Sequence, residues 1–262
     1  MGILQAEQIT MQFGGLTAVK DFCLDLKQGE LAGLIGPNGA GKTTIFNMIT
    51  GFYKPTSGRI YFGGRDITGL RPDKVVGLGI ARTFQNIRLL ANLSVLDNVM
   101  IGRHLHLSKH TTFVEGVLRL PRYRREEESM YDQAIRLLKA VGLEDVKGEK
   151  AGSLPYGQQR RLEIARALAT TPQLLLLDEP AAGMNPNETK DLIEFIARIR
   201  DEFDLTILLI EHDMKVVMGV CERILVLDHG ITISEGTPEV VQNDEKVITA
   251  YLGVDVDDVA AQ

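Results

Sequence analysis

The chain has 262 residues, 44% of them apolar, and its 29 Lys and Arg against 35 Asp and Glu leave a formal charge of −6. That length buries a full core, as one α/β domain or as a domain carrying a subdomain, and an acidic balance without a long basic block argues against nucleic acid as the main partner. No apolar run approaches the roughly 18 residues that span a bilayer and the N-terminus lacks a secretory pattern, so the chain is expected to meet a membrane only by docking onto a protein that crosses it.

Taken in order, apolar runs alternate with helical stretches as in an α/β protein. Strands are expected over Leu4–Phe13, Asp21–Leu26 and Leu31–Ile35, then, after a helix from Lys42 onward, over Arg59–Phe62 and Ile80–Phe84. From about Leu93 to Thr170 the pattern turns mostly helical, with segments near Val95–Gly102, Glu126–Val141 and Gly157–Thr170, which reads as a helical subdomain inserted between two strands. Inside it, Arg103 to Arg125 carries His104, His106 and His110, but no further ligand is spaced to complete a metal site, so a solvated surface insertion is expected.

Strands resume over Leu174–Asp178, Leu205–Ile210 and Arg223–Asp228, and Asp228-His229-Gly230 turns the chain into a hairpin arm over Ile231–Glu235. The tail from Val254 is short and acidic and is expected to fray. Cys23 and Cys221 sit in apolar stretches at no metal-ligand spacing, which suggests two reduced thiols in a cytosolic protein.

Chemistry enters at Gly36-Pro37-Asn38-Gly39-Ala40-Gly41-Lys42-Thr43, which fits the phosphate-binding pattern G-x-x-x-x-G-K-[ST] between an expected strand and an expected helix. Glycines let successive backbone N–H groups turn inward to form an anion site, and the helix adds the positive end of its dipole. Lys42 is then placed to reach the β- and γ-phosphates and the Thr43 hydroxyl to hold Mg²⁺, with Thr44 completing the expected nucleotide-binding run. Leu174 to Leu177 form an apolar strand ending in Asp178 and Glu179 at the edge where an open α/β sheet presents its crevice. Asp178 is placed to bind Mg²⁺ through water, and Glu179 to polarise an attacking water.

These motifs resemble the nucleotide-binding subunits of ATP-binding cassette (ABC) transporters over roughly Leu4 to Gly253. The resemblance implies an α/β P-loop NTPase: a RecA-like mixed-sheet core, an N-terminal antiparallel β subdomain and an inserted helical subdomain. One ATPase domain is expected over 4–253, with 4–92 and 171–253 as catalytic core, 93–170 as the helical signature subdomain, and 254–262 as tail. It further implies that Phe13 stacks on adenine, that Gln85 touches Mg²⁺ and moves with the membrane partner, and that His212 contacts the γ-phosphate and holds the catalytic glutamate. ATP and Mg²⁺ are the implied ligands.

The family signature, usually Leu-Ser-Gly-Gly-Gln, reads here Leu154-Pro155-Tyr156-Gly157-Gln158, followed by a helix with Leu162, Ala165 and Leu168 along one face. Pro155 supplies neither hydroxyl nor N–H to a partner's γ-phosphate, so Tyr156, Gly157, Gln158 and the helix N-terminus are expected to make that contact. Where the family often has an aspartate after the acidic strand, Asn185 stands here and is expected at a dimer interface.

Within the family, Phe13-Gly14-Gly15, Arg82-Thr83-Phe84-Gln85-Asn86, the insertion near Arg103–Arg125, Tyr156-Gly157-Gln158-Gln159-Arg160-Arg161, Glu179-Pro180-Ala181-Ala182-Gly183 and the ending Ala250-Tyr251-Leu252-Gly253 resemble the branched-chain amino acid importers. That implies an ATPase subunit at the cytoplasmic face of the membrane. Its implied partners are permease subunits engaged through the cleft near Gln85, a second ATPase subunit (a related heteromer or an identical copy) and, indirectly, an extracytoplasmic binding protein for leucine, isoleucine and valine. Urea importers and lipopolysaccharide exporters share much of the pattern. A soluble ABC ATPase acting on DNA or ribosomes fits less well, because one cassette, no sustained heptads and a negative charge all stand against it.

Overall fold

The structure is a computed structural model and describes residues 2–103, 121–212 and 214–252, with the side chains of 121–125 and 252 left aside. The chain divides into two compact units, Met1–Arg82 with Gln173–Gln262, and Thr83–Pro172. The second begins at Thr83 rather than at 93.

In the first unit, β1 (Leu4–Phe13), β2 (Leu16–Leu26), β4 (Ser57–Phe62) and β5 (Arg65–Asp66) form an antiparallel sheet in the order β2-β1-β4-β5. A six-stranded sheet runs β10-β9-β3-β8-β7-β6, built from β3 (Leu31–Ile35), β6 (Ile80–Arg82), β7 (Leu174–Asp178), β8 (Thr206–Ile210), β9 (Arg223–Asp228) and β10 (Ile231–Gly236). All its pairs are parallel except β9 with β10. His229 and Gly230, between those two strands, both take positive φ, as the tight hairpin turn requires.

Strands β3, β7 and β8 are buried along their whole length, the mark of a sheet covered on both faces. Alternate residues on one face, Leu34, Leu176, Leu208, Ile210 and Leu225 among them, share a core with α1 (Lys42–Ile49) and with Leu4, Ile9, Phe22 and Leu26 of the antiparallel sheet. On the other face a Cβ at Gly33 would meet Cys221 Sγ at 3.0 Å and Val217 at 3.1 Å. Val217 belongs to α7 (Met214–Val220) and Cys221 follows directly on it; the amphipathic α6 (Pro186–Glu202) buries Leu192, Phe195, Ile196 and Ile199.

The second unit is helical: α3 (Val95–Arg103), α4 (Pro121–Ala140) and α5 (Tyr156–Leu168), with a 3-10 turn at Ala151–Ser153. Leu162, Ala165 and Leu168 of α5 are buried, as their spacing predicts. Among the described residues the remaining helices belong to the first unit: α2 (Pro72–Gly77), α8 (Pro238–Gln242) and α9 (Glu245–Leu252).

Several expectations need correcting. Strand β2 begins at Leu16 rather than Asp21, because register shifts against β1 and a positive φ at Asp21 break the alternation that would have revealed its first half. Strand β6 stops at Arg82 instead of Phe84, for a reason given below. Helix α4 starts at Pro121, a residue tolerated in a first helical turn. Of the expected surface insertion, Arg103 is instead buried and donates to Ala169 O at 3.0 Å, residues 121–125 are helical, and His104, His106 and His110 lie outside the described residues. Cys23 is exposed on β2, and only Cys221 is buried.

Candidate functional site

Register fixes the site. Strand β8 lies between β3 and β7, with Ile210 pairing Leu34 on one side and Asp178 on the other, so three strands end level at one edge. From that edge the Gly36 loop, the Asp178-Glu179 pair and Glu211-His212 leave together.

The loop from Gly36 to Gly41 is held from behind by backbone. Gly230 N donates to Ala40 O at 3.0 Å, and Lys20 N to Gly230 O at 2.9 Å. Gly36 has φ +148° and a Cβ there would lie 2.1 Å from Leu227 O, so the first glycine is demanded by close approach to β9. Gly39 has φ +84° with nothing within 4 Å of an added Cβ, which leaves its outer side open to a ligand. Tyr251 of α9 reaches the same loop: burial pushes its phenol up, and the Gly36 N–H donates to it.

Lys42 opens α1 and is buried, its ammonium donating to Gly36 O at 2.6 Å and Pro37 O at 2.9 Å. Burial lowers its pKa, and the charges of Glu179 and Asp178 work in the opposite direction. The loop thus stays closed around a cation through carbonyls that phosphate oxygens are able to replace. Thr43 and Thr44 follow in the first turn, where the N–H groups lack intrahelical partners and no side chain caps the end.

Asp178 is buried and forms an ion pair with Arg82 at 2.6 Å. Arg82 also donates to Asn47 Oδ1 at 2.7 Å and lies 5.4 Å from the Phe46 ring centroid, so α1, β6 and β7 are tied through one guanidinium. Glu179 takes φ +46°, a left-handed conformation that stores strain of about 1–3 kcal/mol in a non-glycine residue. Its N–H donates to Ile210 O at 2.9 Å. His212 Nδ1 stands 3.6 Å from Glu179 Oε2; the histidine side chain is 56% exposed, the carboxylate 16%. Glu211, fully buried, accepts from Ala181 N at 2.8 Å and His212 N at 3.2 Å, pinning the turn after β7 to the end of β8. Arg82 and Glu211 carry no motif of their own, and only the fold, by burying them beside Asp178 and the turn after β7, marks them.

Phe13, at the end of β1, is 42% exposed, so it is no core aromatic, and Tyr53 meets it edge-on at 5.3 Å between centroids. Asn185 serves the helix that follows it. The side chain accepts from Asn187 N and Glu188 N at 3.0 Å, while Glu188 accepts from Asn185 N at 2.9 Å. This is a capping box on α6, and it explains Asn185 without a partner subunit.

Gln85, Tyr156, Gly157 and Gln158 belong to the helical unit. The Gln85 side chain is exposed, while its backbone is held by α5: Arg160 donates to Phe84 O at 2.7 Å and Gln85 O at 3.0 Å. Phe84 N in turn donates to Glu163 at 3.4 Å. The segment cannot pair as strand because its polar groups are bonded to α5, which is why β6 ends at Arg82. Pro155 is the N-cap of α5 and offers no side-chain cap, so the N–H groups of the first turn face outward uncommitted to a cap.

The residues present fit a magnesium nucleotide. No group of three or more His, Cys, Asp or Glu among the described residues would hold a metal alone. Mg²⁺ needs no such cage: it takes one or two protein oxygens and fills its shell with phosphates and water.

Such a phosphate loop, beside an acid-ended strand, defines a P-loop nucleoside triphosphatase. Residues 19–182 match the family model described as ABC transporter, and the chain belongs to that family. Residues 232–257 match a second model, the branched-chain amino acid ATP-binding cassette transporter. The high-affinity branched-chain amino acid transport ATP-binding protein BraF of Pseudomonas aeruginosa is 47% identical over 251 residues, 96% of this chain and 98% of that one. Among solved structures, an ATP-binding cassette of an ABC transporter in its ADP conformation superposes with a TM-score of 0.83 at 34% identity, covering 97% of this chain and all of the other. A dimeric ATP-binding cassette in a post-hydrolysis state, bound to ADP and Pi, superposes at 0.74 and 26% identity, covering 90% of this chain and 98% of that one.

Proposed function

We propose that this chain is the ATP-hydrolysing subunit of an importer of branched-chain amino acids, working at the cytoplasmic face of the membrane beneath permease subunits. The ATPase part rests on one observation above all: β3, β8 and β7 end level, so Lys42, Glu179 and His212 converge on one edge. The cargo rests on 47% identity to BraF and on the match over 232–257. No helix among the described residues is long and apolar enough to cross a membrane, in keeping with a separate permease that the chain engages near Gln85.

The mechanism follows from the groups in place. Loop amides from Asn38 to Thr43 bind the phosphates, Lys42 exchanges its bonds to Gly36 O and Pro37 O for β- and γ-phosphate oxygens, and Phe13 offers a ring face to the base. Thr43, Asp178 and Gln85 are the groups that would hold Mg²⁺, which when bound neutralises charge on the phosphates. Glu179 orients the attacking water, and His212 fixes the carboxylate and senses the γ-phosphate. Tyr156, Gly157 and Gln158 at the start of α5 close over the nucleotide of a second subunit, as the dimeric relative suggests.

Glu179→Gln tests the reading. It should keep ATP affinity within about twofold, lower hydrolysis by roughly 10²–10⁴ and accumulate an ATP-bound dimer in sedimentation. Turnover near the parent rate would remove Glu179 from its role.

A further inference from the structure

Arg160 is the largest fully buried side chain among the described residues, and its charge is met by Glu163 at 2.7 Å, one turn along α5. A buried ion pair of this kind is weak evidence for stability, since removing two charges from water offsets their attraction. What distinguishes this pair is where its other bonds go. Arg160 donates to Phe84 O at 2.7 Å and Gln85 O at 3.0 Å, both carbonyls of the segment that carries Gln85. Glu163 accepts from Phe84 N and Arg88 N, each at 3.4 Å. Arg160 also reaches the hydroxyl of Tyr156, first residue of the same helix, at 3.4 Å. A planar fork with several donors suits such a junction, and a lysine would not reproduce it.

We propose that Arg160 and Glu163 are positioning residues that make the Gln85 segment and the first turn of α5 one rigid piece. Resting on the ATPase reading above, the inference adds that Gln85 of one nucleotide site and Tyr156–Gln158, which serve the other, are displaced together. One site then registers through this pair whether its neighbour is filled, and the two act cooperatively.

The test uses the full chain with ATP and magnesium, and reads two quantities. Amide hydrogen exchange at Phe84 and Arg88 reports the junction without any nucleotide. The maximal rate, KM and Hill coefficient for ATP report its consequence. In the Arg160→Met, Glu163→Leu double variant, which replaces charges with apolar groups of similar size, exchange at both amides should rise tenfold or more. The maximal rate should fall tenfold or more and the Hill coefficient approach 1, with KM within about threefold. Glu163→Gln keeps an acceptor oxygen and should retain most of the protection and of the rate. Released amides with parent rate and cooperativity would overturn the proposal, as would amides still protected in the double variant. If the double variant does not fold, Glu163→Gln decides: loss of protection with parent cooperativity sinks the proposal, and parallel partial loss of both supports it. A parent chain that hydrolyses no ATP while its amides are protected speaks against the ATPase reading alone.

Discussion

In the sheet unit the functional groups stand where neighbouring strands end, and backbone ladders put them there: Leu34, Ile210 and Asp178 are level because β3, β8 and β7 are in register. In the helical unit no ladder reaches Gln85. Its position is set by buried side chains of α5, with Arg160 and Glu163 taking up backbone groups that would otherwise extend β6. Register ties a site to many mutually supporting bonds. A side-chain junction ties it to two residues, and leaves that segment free to follow its helix.

The largest test of the comparison asks whether register alone is enough in the sheet unit. It is not expected to be, since Asp178 is buried and Arg82 answers its charge at 2.6 Å. Arg82→Met should destabilise the chain by about 3–5 kcal/mol by leaving that carboxylate uncompensated. Adding Asp178→Asn should recover part of the loss in urea unfolding. A neutral Arg82→Met would mean that the ladder holds the acid unaided.

A second test addresses the helical unit, where Pro155 opens α5 with neither hydroxyl nor N–H. Pro155→Ser adds one hydrogen bond to a charged oxygen if the first turn of α5 closes on a partner's nucleotide. Each such bond contributes about 1.5–3 kcal/mol, so one per dimer should tighten the ATP-bound dimer roughly 10- to 150-fold, and two, in a dimer of identical chains, by about the square of that. Sedimentation of Glu179→Gln with and without the second change measures it, and an unchanged dimerisation constant would detach this helix from the nucleotide. A smaller effect separates packing from function at Asn185. Because the side chain caps α6, Asn185→Ala should cost about 1 kcal/mol in stability even in the monomer. A loss seen only in dimerisation would restore the interface role that the sequence suggested.

The two units also differ in how much of them could be read from residues alone. The bounds of β3 and β7 follow from apolar runs and motif context, because fully buried strands are continuous and end where their chemistry begins. The first half of β2 was hidden by bulges, and the two-residue β5 is too short to carry a period. Phe84 reads as strand by composition, and partners 76 and 79 residues away, Arg160 and Glu163, show why it is not one. The phosphate loop, Asp178 and Glu179 could be picked out from local spacing, whereas His212 was picked out only through the resemblance to the family. Arg82, Glu211, Arg160 and Glu163 were not, because their partners are distant in sequence and their burial is a property of the fold.

The thiols offer the mildest probe of the sheet unit. Cys221 is buried against Gly33 of β3, and burial, with the charges of Glu211 and Glu222, pushes its thiol up to about 12. Thiolate is the reactive form, so at pH 8 a disulfide reagent should titrate one thiol, Cys23, in the native chain. The second should appear only with unfolding, at the unfolding rate and independent of reagent concentration. Because the raised pKa favours the protonated thiol, increasing the pH from 8 to 9 should leave Cys221 silent. Two thiols titrating together in the native state would mean that the segment after α7 lifts off β3. In that case the face behind the phosphate loop would be as free to move as the Gln85 segment, and the contrast between the two units would fail at its rigid end.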